Sequence, residues 1–384
     1  LPAEPALLLV TTVPITLDVF LTPYARHFHE LGWRVDALAN GATSIATLAD
    51  PFDHRYDVHW TRSPLSPANF GTARRVSELV MAERYDIVHV HTPVAAFITR
   101  FALRTLPAAS RPTVIYTAHG FHFYQGQARL PHLLYRSMER LAAGWTDYLV
   151  TLNREDERAA RAFTRIPPVR VRRIPGIGVD VDLYAEGAVS AEQIDGVRQE
   201  LDVPPDAFML TMIAEFSPVK RHEHLLKALE RVRDERVVVV FVGDGPLETH
   251  IRKHVEAAGL TGSVRFAGYR SDIAAVLAAS DALALVSERE GLPRSILEAM
   301  AAGRPIVGTD IRGITDAVGD DAGWIVPRHD VDALARAIEE AAADPVMTAR
   351  RGHAARARAL REFALTRIIG EYEDLYREAL ASRV

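Results

Sequence analysis

The chain has 384 residues, 48% hydrophobic and 25% charged, a composition ordinary for globular domains and long enough for two of them. It contains no cysteine, which excludes disulfides and thiolate metal centres and fits a reducing, cytoplasmic setting. A formal net charge of −5 argues against a dedicated nucleic-acid binder, and no apolar run reaches the ~18 residues needed to span a bilayer.

The opening "LPAEPALLLVTTVP" has no basic leader region and runs straight into a strand, so no signal peptide is expected. From there short aliphatic and β-branched runs alternate with longer amphipathic segments. In the first half the runs are "ALLLVTTV", "WRVDALA", "YDIVHVH", "TVIYTAHG", "DYLVTLN" and "VRVRRIP"; in the second they are "FMLTMIAE", "RVVVVFVGDG", "SVRFAGY", "ALALVSE", "RPIVGTD" and "GWIVP". Buried strands separated by helical patterns predict βα repeats, hence a doubly wound parallel sheet in each half. Pro175, Gly176 and Gly178 interrupt the pattern within "RRIPGIGVDVDLYAEG". The expected α/β architecture is two Rossmann-like domains, 1–178 and 179–361, facing across a cleft, with an amphipathic tail helix (362–384) returning to the first.

Several stretches carry chemistry, each with a plainer reading beside it. "TAHGFHFYQG" puts His119 at the carboxyl end of a strand, where open α/β sheets receive ligands; His122 follows in the loop, and both could equally be packed residues. Asp180-Val-Asp182 and Asp330-Val-Asp332 match a short metal pattern that recurs by chance and has no histidine cluster nearby. "AEFSPVKRHEHLL" sets Lys220 and Arg221 at a helix opening, against the dipole preference unless an anion binds there; a solvated basic pair is the alternative. "VVVVFVGDGPLETH" lacks the third glycine of a dinucleotide fingerprint and reads as a tight turn with Pro246 at a first helical position. In "SEREGLPRSILEAMAAG", Glu290 falls on a loop and Glu298 just over a turn into the following helix. With the amides of Gly291 and Leu292 they describe either a sugar-nucleotide pocket or glutamates complementing a helix dipole. Arg100 and Arg104 in "FITRFALRTL", and the Arg-rich 154–173, would give either a basic face for anionic lipid or solvated helix surfaces.

Together these segments resemble glycosyltransferase family four, retaining enzymes of the GT-B fold. Glu290-x7-Glu298 matches the family's E-x7-E motif, and "DIVHVHTPVAAFITR", "YTAHGFHFYQG", "IPGIGVD", "VGDGPL" and "VRFAGYRSDI" occur in the family's order over nearly the whole chain. "HGFHFY" resembles the branch that builds bacterial surface polysaccharides. The resemblance implies that Glu290 contacts the donor hexose and Glu298 the ribose, that Lys220 binds the diphosphate, and that His119 touches the transferred sugar. It further implies that Gly268, Tyr269 and Arg270 hold the base, largely through backbone, and that no metal or other cofactor is used. Three positions depart from the pattern. Glu215 stands where an arginine is frequent, five residues before the lysine, which leaves Arg221 to meet leaving-group charge. "TTVPITLD" replaces a glycine-rich loop and assigns its acceptor or phosphate contacts to Thr11 and Thr12; Gln125 replaces the lysine that commonly follows Tyr124 and joins His122 on the acceptor side. The implied function is retaining transfer of a hexose or N-acetylhexosamine from a nucleotide-diphosphate sugar, most simply UDP-linked, to an acceptor hydroxyl. That acceptor would be a lipid-linked glycan or a small glycoside, reached with peripheral contact to the inner face of an anionic membrane. A UDP-sugar 2-epimerase of the same architecture and a non-catalytic sugar-nucleotide binder are the alternatives.

Overall fold

A computed structural model describes residues 4–61, 66, 68–124 and 126–382 of the chain; Gln125 lies outside the described residues. The chain divides at Ile177/Gly178 into two compact units, and residues 368–384 belong with the first.

In the first unit β1 (Ala6–Val10), β2 (Arg34–Ala39), β3 (Arg55–Asp57), β4 (Ile87–Val90), β5 (Thr113–Ala118), β6 (Tyr148–Thr151) and β7 (Val171–Arg173) form one sheet. Its order is β3-β2-β1-β4-β5-β6-β7, and every pairing is parallel. The runs that form β1, β4, β5 and β6 are buried along their whole length, as strands covered by helices on both faces must be. The order reverses between β1 and β4, which makes the loops after those two strands the natural mouth of a ligand site.

The tail forms the helix Leu365–Ala381, which buries Ile368, Ile369, Tyr372, Leu375, Tyr376 and Ala379 along one stripe. Its two tyrosines reach polar groups of the first unit: Tyr372 Oη lies 3.1 Å from Thr117 Oγ1, and Tyr376 Oη is hydrogen-bonded to His89 Nδ1. Glu373 meets His27 at 2.8 Å and Glu378 meets Arg172 at 2.8 Å, so both edges of the helix are tied down.

In the second unit β8 (Phe208–Ile213), β9 (Val237–Val242), β10 (Val264–Gly268), β11 (Ala282–Leu285), β12 (Ile306–Thr309) and β13 (Gly323–Val326) form a parallel sheet. Its order is β10-β9-β8-β11-β12-β13. The reversal here falls between β8 and β11, so the segments holding Lys220 and Glu290 leave the sheet side by side. Asp330 caps the helix Val331–Ala343 through Ala333 N at 2.8 Å, and Asp180 closes a turn by accepting from Asp182 N at 3.1 Å. Both carboxylates thus have local structural work.

Arg100 corrects the expectation of a basic surface on the helix Pro93–Leu103. It is 1% exposed, its guanidinium lies 4.0 Å from the centroid of the Tyr116 ring, and Nη2 donates to Glu139 Oε2 at 3.0 Å. In the Arg-rich 154–173, Arg161 and Arg173 share Glu157, and Arg172 takes Glu378. Removing one member of a buried pair strands the other. Glu139→Ala should therefore lower unfolding free energy by on the order of 3–5 kcal/mol in urea titration, whereas the apolar pair Arg100→Met with Glu139→Leu should cost far less.

Candidate active site

In the second unit the site is built from backbone upward. Glu288 N donates to Val219 O at 2.8 Å, which stitches the loop after β11 to the loop after β8. Lys220 and Glu290 then meet, Nζ to Oε1 at 2.6 Å, with side chains 24% and 12% exposed. Glycine allows the surrounding loops to approach this closely. A Cβ on Gly313 (φ +81°) would lie 2.2 Å from Gly291 O. One on Gly245 (φ +148°) would lie 2.6 Å from Phe216 N, and one on Gly243 (φ +137°) 2.4 Å from Ala214 O. The Gly-Asp-Gly segment is accordingly a brace for the lysine loop, with Phe216 N donating to Asp244 O at 2.8 Å. Pro246 stands two residues ahead of the helix Glu248–Ala257, not at its first position, because Leu247 is the cap.

Pro293 caps the helix Arg294–Ala301, and Glu298 sits at its fifth residue. The carboxylate is buried and accepts from Arg294 Nε at 2.6 Å, with the Tyr184 hydroxyl close by. Burial raises its pKa, an effect Arg294 and Tyr184 oppose. Leu292 is partly buried against the core. Arg221, itself in a left-handed conformation (φ +57°), pairs with Glu288 at 3.3 Å and approaches His329. Glu215 is exposed. Tyr269 is 79% exposed, and Gly268 O accepts from Gly243 N. The Arg270 guanidinium is committed to Asp272 and Glu200, at 2.6 and 2.7 Å, and these hold its pKa above the usual arginine range.

In the first unit His119 follows β5, half-buried, with Nε2 3.0 Å from His91 Nδ1. His91 follows β4 and packs at a tilt against His89, with ring centroids 4.0 Å apart. Burial pushes all three imidazoles down, His119 to about 4, His89 to about 3 and His91 well below its ordinary value. His89 Nε2 lies 2.8 Å from Thr117 Oγ1, whereas His91 Nε2 is buried without a hydrogen-bond partner. The loop after His119 is anchored at Asp156, which is buried, accepts from Phe121 N at 3.2 Å and is itself held by Asn153 at 2.8 Å. His122 leans on Tyr135, with ring centroids 5.5 Å apart.

Thr11 is fully buried and donates to Val13 O at 2.9 Å, so it shapes the loop and has no surface to offer a ligand. Thr12 lies 2.8 Å from Thr92 Oγ1 and accepts weakly from Ala95 N, which fills the first turn of the helix Pro93–Leu103. His91 and Asp156 were not among the expected site residues. The signal for His91 was present in "HVH", where period-two spacing on a buried strand points both imidazoles to one face.

Two doubly wound parallel sheets with acidic and basic groups at the second sheet's switch point define a GT-B-type glycosyltransferase fold. Residues 19–183 match the family model for Glycosyltransferase Family 4, and residues 193–358 match that for Glycosyl transferases group 1. The chain is 33% identical over 373 residues to the putative glycosyltransferase EpsD of Bacillus subtilis, covering 96% of each. It therefore belongs to glycosyltransferase family four. It is also 27% identical over 312 residues to an Escherichia coli UDP-Gal:α-D-GlcNAc-diphosphoundecaprenol α-1,3-galactosyltransferase, covering 80% of this chain and 79% of that one. Among solved structures, Anabaena HepE in complex with UDP and glucose superposes with a TM-score of 0.78 at 20% identity, over 98% of this chain and 100% of that one.

The histidine cluster makes stability depend on pH with a definite sign. Between about pH 6.5 and pH 4 the unfolded chain binds protons on His89, His91 and His119 that the folded chain refuses, so stability falls as pH falls. Each group contributes up to ~1.4 kcal/mol per pH unit. Urea unfolding across this range should show a slope that becomes shallower in His91→Asn by about one proton; equal slopes would refute the assignment.

Proposed function

We propose that the chain is a retaining glycosyltransferase that moves a hexose or N-acetylhexosamine from a UDP-sugar to a hydroxyl of a lipid-linked glycan. The observation that carries this reading is the Lys220–Glu290 pair at the β8/β11 switch point. Membership of the family, the UDP held by HepE, and the UDP-Gal and diphosphoundecaprenol acceptor of the galactosyltransferase relative support it.

Lysine has three donors. One is taken by Glu290, and the others serve the diphosphate, while the glutamate's second oxygen accepts from a hydroxyl of the donor sugar. Glu298, fixed by Arg294 and Tyr184, accepts from the ribose hydroxyls. Because the Arg270 guanidinium is already committed, the base is read through the backbone of Gly268–Arg270, with the exposed Tyr269 ring beside it. In transfer the C1–O bond breaks, its electron pair leaves with UDP, and the acceptor oxygen bonds to C1 from the same face. The acceptor's proton passes to the departing phosphate oxygen. Lys220 meets the charge that builds there, aided by Arg221, and no metal is assigned a role. Glu215 contributes position to the loop and no positive charge.

His119 works as a neutral group. A buried unpaired lone pair costs less than a buried unpaired N–H, which favours His91 donating from Nδ1 and leaving its Nε2 bare. His119 then accepts at Nε2 and carries its proton on Nδ1, ready to donate to an oxygen of the transferred sugar. His91 is thus a positioning residue. His122 and Gln125 are left for the acceptor side, and the cytoplasmic face of the membrane is where we place the reaction.

A screen of UDP-, GDP- and ADP-sugars should give stabilisation and turnover with a UDP-sugar, unaffected by EDTA. Lys220→Ala should lower kcat by on the order of 10²–10³-fold, the effect of losing one donor to a developing oxyanion. Unchanged turnover in that variant would refute the lysine's role. Donor conversion without acceptor would instead indicate epimerisation, and UDP binding with no turnover a binder.

A further inference from the structure

The described residues contain no helix long and apolar enough to cross a membrane, and the proposed acceptor is lipid-linked. Of the arginines expected from sequence to face lipid, Arg100 is buried and Arg161, Arg172 and Arg173 face acids, while Arg104 is exposed. A different helix carries the necessary features. In Arg129–Ala143 the residues His132, Tyr135, Met138, Glu139, Ala142 and Ala143 turn towards the first unit. The opposite side exposes Leu130 (78%), Leu133 (58%), Leu134 (49%) and Leu141 (41%).

At 100° per residue these leucines fall in one sector, joined by Ser137. Arg129, Arg136 and Arg140, all exposed, form a column along its edge. The lone acid of the helix, Glu139, is turned away to Arg100 and Tyr116. Outside the helix, Arg104 is also exposed, whereas Arg100 is buried against Glu139 and Arg111 pairs with Asp147.

We propose that the exposed face of the helix Arg129–Ala143 docks on an anionic lipid surface, leucines among the acyl chains and arginines at the headgroups. Charge complementarity selects this occupant. A second copy apposed through the same face would set two arginine columns against each other, and a neutral bilayer would leave them unanswered. The helix follows the His119 loop directly, and His122 rests on its Tyr135. Docking would therefore hold the first unit's acceptor loop at the headgroup level, where the sugar of a lipid-linked acceptor emerges. This last step rests on the transferase reading; the docking itself does not.

The test is co-sedimentation of the full chain with phosphatidylglycerol/phosphatidylethanolamine vesicles and with phosphatidylcholine vesicles, in low and high salt. Binding is expected to the anionic vesicles only and to weaken with salt. Each arginine near such a surface is worth about a fivefold gain, so replacing all three by Gln should weaken binding on the order of 100-fold. Leu133→Glu with Leu134→Glu should abolish it. Both variants should keep the wild-type melting temperature and UDP-induced stabilisation, because the altered side chains are exposed. Failure of wild-type protein to bind anionic vesicles, or variants that bind as wild type does, overturns the proposal. So does a concentration-dependent dimer, seen in sedimentation, that the leucine variant dissolves. Because vesicle binding needs no donor and UDP binding needs no vesicle, the docking and transferase readings fail separately.

Discussion

A parallel sheet can present function only where its strands end, and it opens a crevice only where the strand order reverses. That constraint governs the second unit. The reversal between β8 and β11 sends two loops out side by side, and a single backbone hydrogen bond, Glu288 N to Val219 O, fixes their register. Just beyond it the side chains begin to matter: Lys220 one residue along the first loop, Glu290 two along the second. Their contact follows from the topology rather than from any local preference of either loop, since Arg221, the cap of the next helix, sits in a left-handed conformation uncommon for a non-glycine residue.

The first unit uses the same geometry with a different chemistry. Its switch point places the β1 and β4 loops together, and Thr12 and Thr92 consume the polar capacity there on each other. The polar interior lies along β4 and β5, where His89, His91, Thr117 and His119 share a face with Tyr372 and Tyr376 from the tail helix. Buried imidazoles are costly unless neutral and bonded. The tail helix supplies the hydroxyl for His89, so the polypeptide's last helix satisfies a polar cluster that begins at its fourth strand. The tail thus completes the partners of His89 and Thr117, next to the His91–His119 pair.

Much of this was legible in the sequence because buried parallel strands write themselves as unbroken aliphatic runs. β3 was not legible: three half-exposed residues, Arg55–Asp57, have neither an aliphatic run nor alternation. The E-x7-E segment could be read as strand, turn and helix, and Glu290 with Lys220 could be suspected from their places at strand ends. What sequence could not give was the direction of a side chain on a helix. Arg100 and Arg104 look alike in "FITRFALRTL", yet one is sealed against Tyr116 and Glu139 while the other is exposed. The same ambiguity applies to Arg129–Ala143, where the packing of Tyr135, Met138 and Ala142, not the sequence, leaves the leucines exposed.

Rigidity of the second unit's loops has an identifiable source. Three glycines at positive φ, Gly243, Gly245 and Gly313, each let backbone touch backbone at distances that a side chain would forbid. Two of these contacts clamp Ala214 to Phe216, ahead of Lys220, and the third clamps Gly291, just after Glu290. A long lysine side chain is flexible and loses rotamer freedom wherever it is held. Holding its loop through main chain, and its ammonium through Glu290 at 2.6 Å, means that part of this loss is incurred on folding. An anion arriving between the loops then meets a charge already in place, so less of its binding energy is spent on ordering the protein.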